Sequence, residues 1–348
     1  MATASQSPAV GIVIAARDTG AYLEETLQSL ERQTFQAWTC VVVDDGSTDD
    51  TADVAQRMAD RDPRIKLIRQ QNMGTPAARN NGIDAIDERT PYLSFVDGDD
   101  TLEPDALHRL VEALEDAPDA VGSYGYADYM TSSGAPYAPG VHPQRQRDRR
   151  RLGRLDLTSV PASEPYTWSS WIVSGTLWPS AVALHRREVV DRVGRFDVEL
   201  RQVQDWDLYL RMSRVGAFVP VDARVAWYRQ HSANVTSRTD RVAFYTLLVR
   251  RRAALSADNS SAQRREVRRV HRRLAARWSL GALLSSRDAV VNRDVGGTRT
   301  ALAGTSAFLR IAATGRLPAP TPRLASFLAS YVMARHPRTR VLTEMPKQ

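Results

Sequence analysis

Three aspartates crowd the end of one short apolar run in this sequence. Asp97, Asp99 and Asp100 follow the run Tyr92–Val96, where a buried strand of a parallel sheet would end. Carboxylates this close repel one another unless a cation or hydrogen-bond donors neutralise them, and an Asp-x-Asp pair offers oxygen ligands suited to Mg²⁺ or Mn²⁺. Aspartates are also typical of a solvated turn that caps the next helix. The spacing alone leaves both a metal site and a capping turn open.

A second acidic pair ends a second apolar run. Asp44 and Asp45 follow the run Trp38–Val43, and a helical pattern comes after them, as it does after the first cluster. In an open α/β sheet, the loops after the carboxyl ends of neighbouring strands line one crevice. We therefore expect the two acidic loops to lie at one ligand site.

A third loop is expected at the same crevice. It follows the apparent strand Ile65–Arg69, and Thr75 and Pro76 predict the start of a helix, with Thr75 as the N-cap. Arg79 and Asn80 would then project from the start of that helix, near the two acidic loops.

The three loops belong to a longer, ordered set of motifs. The set is GIVIAARD, VVVDDGSTDDT, NMGTPAARNNGI, FVDGDDTLEPDAL, VGRFDVEL, QDWDLYLRM and YRQHSAN. In this order the motifs resemble those of the family 2 glycosyltransferases, which are inverting enzymes with the nucleotide-sugar-binding GT-A fold. The resemblance covers about residues 8–238. Each motif is weak by itself, whereas seven in the family's order are specific.

The resemblance implies a catalytic base in the motif QDWDLYL. Transfer of a sugar to a hydroxyl needs a base within hydrogen-bond reach of the attacking oxygen. In the family the aspartate of a Glu-Asp pair supplies this base, and the matching residue is Asp205. Gln204 stands at the glutamate position, and the missing negative charge predicts a slightly lower pKa for the Asp205 carboxyl. Asp207 is expected to be structural.

The resemblance also implies contacts to a nucleotide sugar and to a metal ion. The residues expected at the nucleotide sugar are Ala15, Arg17, Asp44, Asp45, Arg79, Asp97, Gly98 and His231. The residues expected at the metal are Asp99, Asp97 and His231, with Mg²⁺ or Mn²⁺ as the ion. Ala15 and Arg17 stand where the family often has a different turn sequence, which leaves the contacts of that loop to the base open.

Alternation of strands and helices predicts the fold. Short apolar runs alternate with helical patterns from Val10 to Leu114, which indicates an α/β fold with a mostly parallel sheet and helices on both faces. We predict a GT-A catalytic domain over residues 8–238, with a nucleotide-sugar half at about 8–130 and an acceptor half at about 155–238. A helical C-terminal region is predicted over residues 239–348.

Composition and charge are those of a folded enzyme. Of the 348 residues, 43% are apolar and 25% are charged, and the single cysteine excludes an internal disulfide framework and a multi-cysteine zinc site. The net charge is +7, and the basic residues are almost all arginine. Genome composition is the favoured explanation of this excess of arginine over lysine, although a basic surface also attracts nucleic acid, anionic lipid or a polyanionic polymer. Neither a membrane span nor a secretory signal is evident, so a cytoplasmic protein is predicted.

The segment RREVRRVHRRLAARW leaves two interpretations open. It combines an arginine-rich face with Val267, Val270, Leu274 and Trp278 at helical spacing. A helix of this kind binds the surface of an anionic membrane, or packs on the catalytic domain or on a second copy of the chain. Packing is slightly favoured, and peripheral contact with the inner face of the cell membrane stays the alternative.

The motifs together predict a metal-dependent inverting glycosyltransferase. Its donor is expected to be a nucleoside-diphosphate sugar with uridine as the nucleoside. Its acceptor is expected to be a hydroxyl of a glycan, a lipid-linked sugar or a polymer of the cell surface. A sugar-nucleotide pyrophosphorylase is one alternative, but its glycine-rich loop for a triphosphate is missing. A noncatalytic nucleic-acid-binding protein would explain the arginines but not the paired acidic loops, so no specific nucleic acid is expected as a partner.

Overall fold

The chain forms two compact units. In the computed structural model the described residues are 9–137, 165, 167, 168, 172, 179–231, 234, 239–272, 275, 311, 314 and 316. Those up to His231 form the first unit, with the exception of Ile172. Ile172 and the described residues from Asn234 onward belong to the second unit.

Strands and helices alternate along the first part of the first unit. Their bounds are β1 Val10–Ala16, α1 Gly20–Glu31, β2 Trp38–Asp45, α2 Thr51–Arg61, β3 Ile65–Gln70, α3 Thr75–Ala85, β4 Tyr92–Asp97, β5 Thr101–Leu102 and α4 Ala106–Glu115. Almost every residue of β1, β2 and β4 is buried, because parallel strands are covered by helices on both faces. The predicted α/β fold class is confirmed.

The second part of the sheet is mixed. Its elements are β6 Gly122–Met130, β7 Ala183–Arg186, α5 Arg187–Arg192, α6 Gln204–Met212 and β8 Phe218–Arg229. The strand order is β3-β2-β1-β4-β7-β6-β8-β5, and the first four of these strands are parallel. By contrast, β7 runs antiparallel to both β4 and β6, and β5 runs antiparallel to β8. Because β6 and β8 pair in parallel, the mostly parallel sheet predicted from the strand–helix alternation is interrupted only by β7 and β5 among the described strands.

The register of the parallel strands brings the acidic loops together. Ala16 of β1 pairs with Asp44 of β2, and Ala15 pairs with Asp97 of β4. The carboxyl ends of β1, β2 and β4 therefore lie side by side at one edge of the sheet. The two acidic loops are adjacent, as expected, and their role as one ligand crevice stays a prediction.

The start of α3 differs by one residue from the prediction. The helix begins at Thr75, and its N-cap is Gly74, with φ of 91° and ψ of 157°. Only glycine adopts this backbone conformation readily, and the Gly74 N–H donates to the carboxylate of Asp45 at 2.8 Å. Because the chain turns at Gly74, Thr75 is the first helical residue and not the predicted N-cap, while Pro76 lies in the first turn as expected.

A histidine lies in the core of the first unit. His185 of β7 is fully buried, and its ring stacks on Phe95 and Tyr209 at centroid distances of 5.5 and 5.2 Å. Neither ring nitrogen has a hydrogen-bond partner in the part of the chain that the structure describes. Burial, and secondly the charge of Arg79, lower the pKa of His185 to about 3. The imidazole is therefore neutral in the folded protein at neutral pH.

The second unit is helical in its described residues. Helix α7 spans Thr239–Leu255, and residues 261–272 form a further helix. Ser260 and Gln263 cap that helix reciprocally: Gln263 Oε1 accepts the Ser260 N–H at 2.9 Å, and Ser260 Oγ accepts the Gln263 N–H at 3.1 Å. Among the described helices, none combines the length and the apolar character that a membrane crossing requires.

Candidate functional site

A carboxylate and an imidazole meet in the loop after β4. Oδ2 of Asp99 lies 2.8 Å from Nε2 of His231, which follows β8. The two are close because β5, just after the acidic loop, pairs with β8. The imidazole also stacks on the ring of Tyr22 of α1, at a centroid distance of 4.9 Å. The packing against Tyr22 fixes the plane of the His231 ring beside Asp99.

Asp97 is tied to a buried arginine of α3. Nη2 of Arg79 donates to Oδ1 of Asp97 at 2.7 Å and to Oγ of Ser180 at 2.8 Å. The Arg79 side chain is 1% exposed, whereas that of Asp97 is 37% exposed and so reaches the solvent of the crevice. Burial raises the pKa of Asp97, Arg79 opposes this shift, and Asp99 adds to it. Arg79 therefore supports the charge of Asp97 from beneath the crevice.

Asp100 and Arg229 anchor the acidic loop. The Asp100 carboxylate is fully buried, and its Oδ1 accepts the backbone N–H of Arg229 at 3.0 Å. The Arg229 side chain donates to the carbonyls of Asp99 and Ser132 at 2.9 and 3.1 Å, and to the Glu25 carboxylate at 2.6 Å. Arg229 thus joins the acidic loop to α1 and to the turn after β6.

The acidic cluster has the chemistry of a divalent cation site. The pKa values of Asp97 and Asp100 are raised by burial and by repulsion from Asp99, which a cation would relieve. Within the described residues, no group of three or more His, Cys, Asp or Glu side chains is arranged to hold a metal ion. Mg²⁺ is commonly held by one or two carboxylates, with substrate phosphates and water as the remaining ligands. Asp99 and Asp97 would supply one or two carboxylate ligands to a cation shared with a bound diphosphate, and the metal contacts expected for Asp99, Asp97 and His231 stay predictions.

Asp205 lies in the first turn of α6, and its Oδ1 accepts the N–H of Trp206 at 2.8 Å. Burial raises the pKa of Asp205 to about 6, against the opposing effects of Arg79 and the Trp206 N–H. The charge of Asp97 raises it further. The lower pKa expected from Gln204 is thus outweighed by burial, and the carboxylate is suited to accept a proton near neutral pH.

The neighbouring aspartate of the same helix has a structural contact. Oδ2 of Asp207 accepts a hydrogen bond from Nε of Arg211 at 2.8 Å, one helical turn further on. Arg211 also donates to the carbonyls of Val193 and Arg195, each at 2.6 Å. Asp207 therefore holds the arginine that links α6 to the turn after α5, which agrees with the structural role expected for it.

Asp45 closes the loop between β3 and α3. Its carboxylate accepts three hydrogen bonds, from Nε2 of Gln70 at 2.7 Å and from the backbone N–H groups of Met73 and Gly74 at 2.7 and 2.8 Å. Both carboxylate oxygens take part. Asp45 shapes the crevice in this way, and a direct contact with a nucleotide stays a prediction.

Asp44 keeps more of its carboxylate free. Oδ1 accepts the N–H of Ser47 at 3.0 Å, while Oδ2 has only a long contact of 3.7 Å to Nε of Arg69. The Asp44 side chain is 3% exposed and that of Arg69 is 70% exposed, so the arginine can move away without unfolding the site. Oδ2 of Asp44 is thus the less occupied oxygen of the two among the described contacts, and a contact with a nucleotide stays a prediction.

The loop after β1 is fastened to the loop after β2. Oδ1 of Asp18 accepts the N–H of Thr48 at 2.8 Å, and the Asp18 N–H donates to Oγ of Ser47 at 3.0 Å. Arg17 is half-exposed, with its Nε 3.6 Å from Asp18. Ala15 contributes its backbone position beside Asp97. The predicted nucleotide contacts of Ala15 and Arg17 are thus placed at the crevice edge and stay predictions.

Gly98 allows the acidic loop to lie directly against the start of α1. A Cβ atom at Gly98 would lie 2.7 Å from Oγ1 of Thr19 and 3.5 Å from Cβ of Ala16. The Gly98 carbonyl also accepts a hydrogen bond from Oγ1 of Thr26 at 3.1 Å. A side chain at this position would push the loop away from α1, so the structure explains the glycine by close packing.

Three residues of the site were not among the sequence predictions. Tyr22 and Glu25 contact His231 and Arg229, and Ser180 contacts Arg79. Tyr22 and Glu25 are three residues apart and so share one face of α1, which is a spacing that could have drawn attention to them. Ser180 lies in a segment without a motif, and nothing in its sequence context indicates its contact.

Comparison with known proteins gives a consistent result. The family model described as "Glycosyl transferase family 2" matches residues 11–162. TuaG of Bacillus subtilis, named as a teichuronic acid biosynthesis glycosyltransferase, is 30% identical over 188 residues, which is 48% of this chain and 73% of TuaG. The glycosyltransferase EpsJ of the same organism is 32% identical over 232 residues, which is 66% of this chain and 63% of EpsJ. Another relative, EpsH, is matched over 33% of its length, so the chain spans only part of several relatives.

Solved structures show the same fold. A mannosyltransferase from Pyrobaculum calidifontis, PcManGT, determined with GDP-Man and Mn²⁺, matches with a TM-score of 0.62 at 16% identity, over 94% of this chain and 87% of PcManGT. Residues 1–349 of TarS from S. aureus, determined with UDP-GlcNAc, match with a TM-score of 0.54 at 13% identity, over 88% of this chain and 92% of that one. At this level of identity the likeness concerns the fold.

Proposed function

The chain belongs to the family 2 glycosyltransferases, and from this we propose that it transfers a sugar from a nucleoside-diphosphate sugar to an acceptor hydroxyl with inversion at the anomeric carbon. The observation that supports this most is the electrostatic link between Asp205 and the acidic loop. The charges of Arg79 and Asp97 both act on the Asp205 carboxyl, which supports a position of the proposed base close to the metal-binding candidates. A base and a site for the leaving group are the two requirements of the reaction.

Asp205 serves as the general base. As the acceptor oxygen attacks the anomeric carbon, its proton passes to the Asp205 carboxylate, and the bond between that carbon and the diphosphate oxygen breaks. Attack from the side opposite the leaving group inverts the anomeric configuration in one displacement. A pKa of about 6 keeps most Asp205 side chains ionised at pH 7, while leaving them basic enough to take the proton.

The acidic loop provides for the leaving diphosphate. Asp99, Asp97 and His231 would hold Mg²⁺ or Mn²⁺, which when bound neutralises the charge of the leaving nucleoside diphosphate. Arg79 donates to Asp97 and so fixes the direction of that carboxylate. Arg229 fixes the backbone of the loop through the carbonyl of Asp99. The residues beneath the site thus orient the ligands before the donor binds.

We assign recognition of the nucleobase to Asp44, and the expected base is the uracil of a uridine nucleotide. Its Oδ2 can accept the N3–H of uracil, whereas the carboxylate of Asp45 is already bound to three donors of the chain. TarS has been determined with UDP-GlcNAc and PcManGT with GDP-Man, which supports a nucleotide sugar and leaves the base to be tested. The name of TuaG supports an acceptor in glycan biosynthesis at the cell surface.

A binding experiment tests this proposal. The melting temperature of the full chain is measured with UDP, GDP, and a panel of their sugars, each with and without Mn²⁺. A ligand that binds only the folded state raises the melting temperature according to its concentration and Kd. We expect stabilisation by UDP and by one UDP-sugar, dependent on Mn²⁺.

Matched variants make the result specific. Asp99→Asn should lose the Mn²⁺-dependent part of the stabilisation, whereas Asp207→Asn should keep it because Asp207 binds only Arg211 among the described side chains. Stabilisation by GDP alone would contradict the assignment of uridine. Stabilisation by no nucleotide, together with no transfer from any donor, would contradict the proposed reaction.

A further inference from the structure

The second unit carries a continuous row of basic side chains. Five arginines of the helix at residues 261–272 are exposed, namely Arg264, Arg265, Arg268, Arg269 and Arg272. Side chains four residues apart lie one above the other on a helix, so these arginines form two adjacent rows on one face. With a rise of 1.5 Å per residue, this arginine stripe extends about 12 Å along the helix axis.

The opposite face of the helix is packed inside the protein. Val267 and Val270 are 3% and 4% exposed, and Ala275 is fully buried. Val267 and Val270 belong to the apolar row that would have to enter a membrane if the helix inserted, and the other two residues of that row, Leu274 and Trp278, lie outside the described residues. The alternative of an inserting amphipathic helix is therefore not compatible with this packing, whereas the arginine stripe remains accessible.

Among the described residues, no neighbouring acids balance the charges of the arginine stripe. Residues 261–272 contain one acid, Glu266, against five arginines. None of the five arginines forms an ion pair with an acid in the described ranges. Like charges one helical turn apart disfavour the helix, so an external anionic surface would stabilise this arrangement.

We propose that the arginine stripe binds the anionic headgroup surface of a phospholipid membrane, with the helix lying flat and no side chain inserted. A straight row on one helix face matches a planar array of phosphates. Residues 261–272 contain no Phe, Tyr or Trp, and their single histidine, His271, is buried, whereas stacking on exposed aromatic side chains is a usual means of binding single-stranded nucleic acid and sugar rings. The chemistry therefore favours phosphate headgroups over a nucleic acid or a glycan polymer.

The strength of the electrostatic attraction predicts reversible binding to the membrane surface. Each arginine close to an anionic bilayer strengthens association by about fivefold, so five together give about 10³–10⁴-fold. The interaction falls off within a Debye length, which is about 10 Å at 0.1 M salt and about 3 Å at 1 M. The association should therefore be strong at low salt and nearly absent at high salt.

Sedimentation of the full chain with vesicles tests the proposal. Vesicles of phosphatidylcholine with about 30% phosphatidylglycerol carry a negative surface charge that attracts basic segments. Binding to them is compared with binding to pure phosphatidylcholine vesicles, at about 0.1 M and about 1 M NaCl. We expect binding to the anionic vesicles at 0.1 M NaCl only. The triple variant Arg264→Glu, Arg268→Glu, Arg272→Glu should lose at least about 100-fold in affinity, and the corresponding triple Lys variant should retain most of it.

A matched control separates the arginine stripe from the overall charge. Arg32, Arg57 and Arg192 are exposed in the first unit, and their replacement by Glu makes the same change in net charge. This control should bind vesicles like the parent. If the Glu variant of the arginine stripe unfolds, the milder Arg→Gln triple at the same positions should still weaken binding by more than tenfold, with an unchanged melting temperature.

Several results would overturn the proposal. The parent chain would fail to bind anionic vesicles, or would bind them equally well at about 1 M NaCl or bind uncharged vesicles. An equal loss of vesicle affinity in the control variant of the first unit would also contradict the proposal. Tighter binding to double-stranded DNA or to an anionic polysaccharide than to anionic vesicles, abolished by the same Glu variant, would assign the arginine stripe to that polymer. None of these outcomes depends on catalysis, so failure here leaves the proposed function standing.

Discussion

His231 and Asp99 make their 2.8 Å contact across 132 positions of the sequence. The contact exists because β8 returns to pair with the two-residue strand β5, with Thr101 opposite Trp227. Asp99 alone would be one carboxylate in an exposed loop. With His231 beside it and Arg229 bound to its carbonyl, it is held in one direction before any ligand arrives. The geometry of the candidate metal site therefore depends on the pairing of β5 with β8 and not on the loop motif alone.

The assignment of the base predicts a clear difference between two neighbouring aspartates. Asp205→Asn retains size but cannot accept a proton, so transfer should fall by about 10²–10⁴-fold. Affinity for the donor should stay within a few-fold, because the proposed donor contacts lie elsewhere. The control Asp207→Asn should transfer at close to the parent rate. The check is kcat with saturating donor, and an inactive Asp207→Asn with an active Asp205→Asn would reverse the assignment.

The pH dependence of transfer should report the partly buried position of Asp205. Its pKa is raised from 3.8 to about 6, and the ionised form is the one that accepts the proton. The rate should therefore be constant above pH 7 and fall about tenfold per pH unit below about pH 5.5. This acid limb should be absent from the residual activity of Asp205→Asn. A limb near pH 4, the ordinary range of aspartate, would show that burial does not act on the base.

Removal of one carboxylate should expose the metal requirement. Asp99→Asn keeps an oxygen near His231 but loses the negative charge, so the Mn²⁺ concentration for half-maximal transfer should rise by at least about tenfold. An exposed aspartate, Asp119, provides the control, and Asp119→Asn should leave the requirement unchanged. Full parent activity in excess chelator would contradict a metal role at Asp99.

The core histidine predicts a loss of stability in acid. The pKa of His185 is about 3 in the folded chain and about 6.5 in the unfolded chain, so the unfolded state binds more protons between these values. Protonation therefore favours unfolding, and His185 should lower the free energy of unfolding by about 1.4 kcal/mol per pH unit as pH falls below about 6.

A pair of histidine variants isolates this effect. His185→Phe keeps an aromatic ring between Phe95 and Tyr209 and should remove this part of the pH dependence. His108 is exposed, and His108→Gln should leave the pH dependence as it is. Urea unfolding between pH 4 and 7 measures both. If the free energy of unfolding changed equally with pH in the parent and in His185→Phe, the buried imidazole would have a hydrogen-bond partner or water in solution.

The sequence predicts the first four strands and the helices between them, and the physical reason is their burial. Strands such as Tyr92–Asp97 are covered on both faces and must be apolar along their whole length, so they stand out. The mixed part of the sheet is less visible in the sequence, because β7 has only four residues and most positions of β8 are half-buried, without a regular alternation. Short or partly exposed strands depend on their partners for stability, and those partners are distant in sequence.

The residues of the site likewise divide into those predicted from local sequence and those positioned by contacts distant in sequence. Asp97 and Asp99 come directly after a recognisable strand, so their approach to one another follows from local spacing. The contacts of Arg229 with Glu25 and of Arg79 with Ser180 join positions 204 and 101 residues apart. No local pattern encodes them. Burial of Asp205, which sets its pKa, likewise depends on the packing of α6 and not on the motif QDWDLYL.

Burial of Cys40 makes the chain convenient to label. Cys40 is the single cysteine, it is fully enclosed in β2, and burial followed by the charge of Asp62 raises the pKa of its thiol far above the ordinary value. A thiol that stays protonated and enclosed does not react with maleimide or iodoacetamide reagents. A cysteine introduced at an exposed position such as Ala262 would then be the one reactive thiol of the folded protein. A fluorophore placed there reports the distance of the arginine stripe from a vesicle surface, without any prior removal of a native cysteine.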